Sequence, residues 1–412
     1  MSEVINNHTQ RQEVLKRVIQ DLHAGKTVDE VKGQFAALLQ EVGATEIAEI
    51  EQALIVEGLP EMEVKRLCDV HVAVFRDSLD AQAPPETIPG HPVYTFRAEN
   101  KAAARVLDAL DDALSALQED PGPARLEEAR ARLHDLREYE AHYLRKENIL
   151  FPYLERHGFT GPSSVMWAIH DEVRAGWKEL GRLLAAGPGE DAAAFARRVA
   201  EVWRPLETAI REMFYKEDHI LFPTALDKLE PEEWRAIRAQ EAEVGFSYVE
   251  PRENWPVARV APEDTLPAVE AKAVGDDRFS LQTGSLTPRE INRLLAHLPL
   301  EISYVGPDDT VRYFSNTGER IFPRSPAIIG RKVQKCHPPA SVHRVQRILD
   351  DFRAGRRDDA EFWIQMQGRF VHIRYVAVRD EGGAYQGTLE TVQDVTGIRA
   401  LEGERRLLDE EA

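Results

Sequence analysis

The chain has 412 residues, of which 43% are hydrophobic and 30% charged, and a formal charge of −19. That length allows about two to four domains with cores of their own, and the acidic surplus excludes function through non-specific attraction to nucleic acid or an anionic membrane. Cys68 and Cys336 make no disulfide framework, no apolar run is long enough to span a bilayer, and no secretory leader is visible, so a cytoplasmic location is expected.

Residues 1–82 read as a helical domain. Val14, Leu15, Val18, Ile19 and Leu22 recur at helical spacing and Gly25 stops them; Val31, Phe35, Leu38 and Leu39 follow on a second helix. Cys68 and His71 share a helix face there, but two ligands are too few for a structural zinc site, and a packed thiol and imidazole is the reading preferred. A proline-rich break covers 81–90. Residues 86–248 then hold four amphipathic helices, about 91–118, 123–157, 163–186 and 191–229, with a shorter helix from Pro231. Short connections predict an up-down four-helix bundle.

Residues 249–286 are rich in Pro, Glu, Asp and Gly and read as a linker. From Thr287 the period changes to two. Runs 300–305 and 310–315 flank a Gly306–Asp309 turn, helices including 342–352 follow, and 360–366, 370–378 and 387–395 are three further strands. Residues 287–400 are thus an α+β domain with an antiparallel sheet, ending in a helix over 401–412. The fold class is multidomain: an all-α N-terminal domain, a four-helix bundle and this α+β domain.

One phrase occurs twice. His142-Tyr-Leu-Arg-Lys146-Glu147-Asn-Ile-Leu-Phe-Pro152 returns as Met213-Phe-Tyr-Lys-Glu217-Asp-His-Ile-Leu-Phe-Pro223. Each copy puts ionisable groups among apolar ones. At about 100° per residue, Leu133, Leu136, Tyr139, Tyr143 and Leu150 share a face with Glu140 and Glu147, bordered by His142. Glu99, His170, Glu207, Glu217 and Asp218 fall on the inner stripes of the other helices, and His219 points away. Burying several such groups unpaired is costly. A metal cation would offset that cost, and mixed imidazole and carboxylate donors suit iron, manganese or zinc.

These motifs resemble the hemerythrin HHE cation-binding family: His142 with Leu150-Phe151-Pro152, His170-Asp171-Glu172, and Glu217 with Leu221-Phe222-Pro223. The resemblance implies a bundle holding non-haem iron, usually dinuclear, with His91, His142, His170 and Glu217 as ligands and Glu147 as a substitute. In that family His-x-x-x-Glu precedes Leu-Phe-Pro on the second and fourth helices. Here Lys146 stands at the first carboxylate position and Met213 at the second histidine position, which leaves mononuclear and rearranged dinuclear centres both open. The segment around Leu67–His71 resembles an uncharacterised helical domain found ahead of such bundles, and the C-terminal domain resembles PAS sensors, Asp394-Val395-Thr396 matching their closing signature. By the same resemblance His337-Pro338, with His343 second, would bind haem or a small ligand; the other reading is a helix-entry turn stiffened by prolines.

Together the resemblances imply a non-haem-iron protein sensing O₂, NO or redox state and signalling through a protein partner, with a homodimer forming through the PAS domain. Iron storage or delivery, iron–sulfur repair, NO or peroxide reduction, and a scaffold with a vestigial metal site are the alternatives.

Overall fold

The computed structural model describes residues 89–189, 191–251, 278–281, 283–317 and 320–403, with positions 14, 16–22, 24–31, 44–57, 59, 70, 74–76 and 255. Cys68 and His71 lie outside these residues. The chain divides into two compact units, Met1–Thr265 and Leu266–Ala412. Among the described residues no helix is long and apolar enough to cross a membrane.

In the first unit, helix α1 (Ala44–Val56) precedes the bundle. Val18, Ile19, Leu22, Val31, Ile47, Ile50, Leu54, Val74 and Phe75 form its core, and Ile220 and Tyr215 of the fourth bundle helix close that core. Gln52 caps the third helix from outside, its Oε1 accepting from Thr160 N at 2.9 Å and Gly161 N at 2.8 Å, two of the amides a helix start leaves unpaired.

The bundle contains α2 (Pro92–Glu119), a composite second helix, α6 (Gly161–Ala186) and a composite fourth helix. The second comprises α3 (Pro123–Arg137), α4 (Glu140–Arg145), a π-turn (Lys146–Leu150) and α5 (Phe151–Arg156); the fourth comprises α7 (Ala192–Lys216), a π-turn (Glu217–Leu221) and α8 (Phe222–Lys228). Both π-turns have one cause. Pro152 and Pro223 lack an N–H, and their rings would strike the carbonyls of Asn148 and His219 four residues earlier; one extra residue in the turn relieves the clash. Phe96, Leu107, Leu114, Leu133, Leu136, Val173, Leu180, Phe195, Trp203 and Ile210 fill the interior. Helix α9 (Pro231–Val244) packs against α4, and its Glu230–Glu233 capping box fixes where it starts.

The second unit opens with an exposed hairpin, β1 (Phe279–Leu281) and β2 (Gly284–Leu286), inside the stretch read as linker. Three-residue strands with no alternation carry no legible period. Helix α10 (Pro288–Ala296) leads into the sheet strands β3 (Glu301–Val305), β4 (Val311–Phe314), β5 (Asp359–Met366), β6 (Arg369–Arg379) and β7 (Tyr385–Asp394), with α11 (Pro339–Arg353) between β4 and β5. The five-stranded sheet is antiparallel throughout in the order β4-β3-β7-β6-β5. Gln367 (φ 50°) and Gly368 (φ 78°) make the tight β5–β6 turn. The closing helix, α12, spans only Thr396–Arg399; residues 401–403 are not helical, and 404–412 lie outside the described residues.

Gly387 permits the β3–β7 pairing. Its φ is 149°, and a Cβ there would stand 2.3 Å from Val305 O. Gly387→Ala should therefore lower the stability of this unit by about 1–3 kcal/mol, measured as a shift of its urea midpoint; an unchanged midpoint would refute the contact.

Candidate metal centre

The repeat sets the geometry of the bundle's centre. Aligned on Ile-Leu-Phe-Pro, Lys146 and Glu217 are equivalent positions of the two copies. Each opens its π-turn, each is fully buried, and Lys146 Nζ donates to Glu217 Oε1. His170 Nε2 lies 2.9 Å from the same Nζ. The other carboxylate oxygen, Glu217 Oε2, receives Asn100 Nδ2 at 2.8 Å and faces His142 Nε2 at 3.0 Å. His142 Nδ1 faces Glu99 Oε2 at 2.8 Å, so both its ring nitrogens meet carboxylates. Burial alone would raise Glu217, but Lys146 and then His142 outweigh it and hold its pKa at about 2.

A second layer closes the charges. Arg145 is fully buried, donating to Glu99 and to Glu241 Oε1 of α9 at 3.0 Å. Ser247, just beyond α9, gives its N–H to Glu99 Oε1 at 2.7 Å and accepts from His142 N at 3.0 Å through Oγ. On the other side His170 Nδ1 donates to Glu147 Oε1 at 2.7 Å, and Arg174 clamps both Glu147 oxygens at 2.9 Å. Burial pushes Glu147 up to about 7 despite Arg174. Burial first, then Lys146 and Arg174, push His170 well below its ordinary range. It is therefore the neutral Nδ1–H tautomer, accepting from Lys146. Tyr139 donates to Asn100 Oδ1, whereas the buried Tyr143 hydroxyl, its ring stacked on His170 at 4.1 Å, has no hydrogen-bond partner among the described residues.

Of the residues expected at a metal, His142, His170, Glu217 and Glu147 thus lie in one connected buried network. His91 is not part of it. It caps α2, Nδ1 accepting from Val93 N at 3.1 Å, with its ring between Trp234 (4.7 Å) and Trp255 (4.8 Å). Glu207 pairs with Arg204 and Arg211, and the half-buried His219 stacks on Tyr215. Lys146, Arg145, Asn100, Glu241 and Ser247 are centre residues beyond the expected ligands. Lys146 and Asn100 share the wheel faces of Tyr139 and Phe96, and Glu241 and Ser247 arrive from outside the four helices.

His91 caps only while neutral. Burial lowers its pKa to about 4, below the ordinary value near 6.5. Its contribution should be whole above about pH 6.5 and fall as pH drops towards 4. His91→Asn, which keeps a capping oxygen, should flatten that segment of the stability–pH curve; an identical curve in the variant refutes the assignment.

The residues do not fit a metal as they stand. An iron at the centre needs lone pairs from His142 Nε2, His170 Nε2 and Glu217 directed at one empty point. Here His170 and Glu217 meet at an ammonium, and both ring nitrogens of His142 are taken up by the carboxylates of Glu99 and Glu217. Among the described residues no group of three His, Cys, Asp or Glu is placed to hold a metal ion.

In the second unit a cavity of about 30 Å³ is lined by Val305, Val311, Val333, Leu349 and the polar set Arg324, His337, Tyr375 and Glu390. Tyr375 donates to Glu390 at 3.0 Å and Arg324 stands 3.7 Å away. Burial would raise Glu390, but Arg324 and His337 hold it low. That space holds a few water molecules, far less than a haem. His337 Nδ1 is taken by Val333 O at 2.8 Å, and His343 is exposed.

Three family models match the chain: a family of unknown function, DUF438, over residues 15–81, the hemerythrin HHE cation binding domain over 91–225, and a PAS domain over 291–396. No curated protein matches. Similar solved structures include a C-terminal domain from Streptococcus mutans, 37% identical, covering 31% of this chain and 98% of that one with a TM-score of 0.30. A sensory box sensor histidine kinase from Vibrio cholerae is 16% identical, covering 26% and 89% with a TM-score of 0.21. The sensor region of another sensor histidine kinase is 17% identical, covering 24% and 40% with a TM-score of 0.19. The chain thus joins a DUF438 region, a bundle of the hemerythrin HHE cation-binding family and a PAS domain, in that order.

Proposed function

We propose that the chain is a non-enzymatic, cytoplasmic signalling protein that works by assembly, two copies meeting through the leading helix of the PAS unit and a protein partner reading the pair. Helix α10 carries this reading. Its Thr287–Glu290 capping box defines its start, yet it buries no side chain. Leu294 and Leu298 are 56% and 41% exposed, and the preceding hairpin exposes Phe279 and Leu281. An amphipathic helix with an uncovered apolar stripe marks a contact surface. A second copy offering the same stripe is the symmetric way to cover it. In sedimentation velocity the full chain should run as a dimer and Leu294→Glu/Leu298→Glu as a folded monomer; a monomeric wild type at micromolar concentration would sink the proposal.

The effector reading, O₂, NO or redox state, turns on metal. A diatomic held by non-covalent contact in the PAS cavity gains at most about 1.5 kcal/mol per heavy atom, which gives a dissociation constant of roughly 5 mM. Useful affinity for O₂ or NO would need a metal–ligand bond, and the bundle centre is where the metal would stand. Iron storage or delivery, iron–sulfur repair and NO or peroxide reduction need the same metal. The ammonium at that centre favours the scaffold reading over all of these.

A further inference from the structure

We propose that the Lys146 ammonium is the resident cation of the bundle, standing where a member of this cation-binding family would hold a metal ion, so that this chain folds around its centre without loading one. Symmetry is the first support. Lys146 and Glu217 occupy the same place in the two copies of the repeat, at the mouths of matching π-turns, and they meet at the centre. Two carboxylates facing each other there would repel and need a cation between them. With one position a lysine, attraction replaces repulsion and no third party is required.

Donor chemistry is the second support. The atoms that converge on Nζ are the kinds a transition metal takes: an imidazole nitrogen, His170 Nε2 at 2.9 Å, and the carboxylate of Glu217, which His142 Nε2 approaches from its other oxygen at 3.0 Å. Their lone pairs are engaged by N–H donors. The surroundings are closed as well. Lys146, His142, His170 and Glu217 are each 0% exposed, and Arg145 and Arg174 supply further positive charge around Glu99 and Glu147. A dication entering this centre would have to displace the ammonium from both Glu217 and His170. Lys146 Nζ lies 4.8 Å from the Tyr143 ring centroid, a further contact suited to a cation.

The inference concerns the bundle and is independent of assembly through the PAS unit, so either can fail without the other. The test uses the full chain, purified after growth with added iron, and separately stripped with chelator and offered Fe²⁺, Mn²⁺ or Zn²⁺ without oxygen. Elemental analysis should find the wild type substoichiometric in every metal, and its Tm unmoved by the added ion. Lys146→Glu/Met213→His, which gives both copies a His-x-x-x-Glu pattern, should retain on the order of ten times more metal per chain. Lys146→Met, which removes the cation and leaves His170 and Glu217, should show a Tm that Zn²⁺ raises. Stoichiometric metal in the wild type, lost in His170→Ala, would overturn the inference. Folded variants, judged by circular dichroism, that take up no more metal than the wild type would overturn it equally.

Discussion

Lys146→Met, assayed in chelator, is expected to destabilise the bundle by about 3–5 kcal/mol. The substitution keeps the length and most of the volume of the side chain and removes the charge. Glu217 then keeps Asn100 and His142 but loses the ammonium that most strongly holds its pKa at about 2, and a fully buried carboxylate is left short of positive charge. Adding Glu217→Gln in the same chain should restore much of the loss, because a neutral amide is far cheaper to bury. Urea denaturation of the two single variants and the double one gives the coupling directly. If Lys146→Met keeps the wild-type midpoint, the ammonium does not neutralise Glu217.

Arg145→Leu should be of similar size, about 3–5 kcal/mol, with a pH signature set by Glu241. Arg145 is the cation between Glu99 and Glu241, and burial already raises Glu241 to about 7 in its presence. A carboxyl whose folded pKa lies above its unfolded value is favourable to bury when protonated, and the native state loses stability as pH rises through that folded pKa. The deficit of Arg145→Leu should therefore be larger at pH 8 than at pH 6. Arg145→Lys should rescue only in part, since one ammonium does not span two carboxylates as a guanidinium does. A deficit independent of pH would refute the role given to Glu241.

Much of this was legible from periodicity. Strand periods placed 360–366, 370–378 and 387–395 within two residues of the observed strands, because alternation survives wherever one sheet face is buried. The bundle helices and the inward histidines, His142 and His170, were legible too. Lys146 stands seven residues after Tyr139, about 20° away on a wheel of about 100° per residue, so its inward position was legible as well. What the wheel lacks is its partner: a lysine is seldom fully buried unless paired, and the pairing with Glu217 joins two helices. His91 lies apart from the central network because a residue that starts a helix can spend its ring nitrogen on the helix itself. Glu241 and Ser247 come from beyond the four helices, and no single-helix pattern contains the information that Glu241 turns back to Arg145 and Ser247 to Glu99 and His142.

The core under α1 is completed by Ile220 and Tyr215, which has a consequence for biosynthesis. During translation Val18, Ile19, Leu22, Val31, Ile47, Ile50 and Leu54 leave the ribosome well before the residues that complete their core. At roughly 5–20 residues per second the missing side chains follow on the order of ten seconds later. This core therefore closes only after the fourth bundle helix has emerged, although most of it is made first, and a ribosome stalled before residue 215 should display it protease-sensitive.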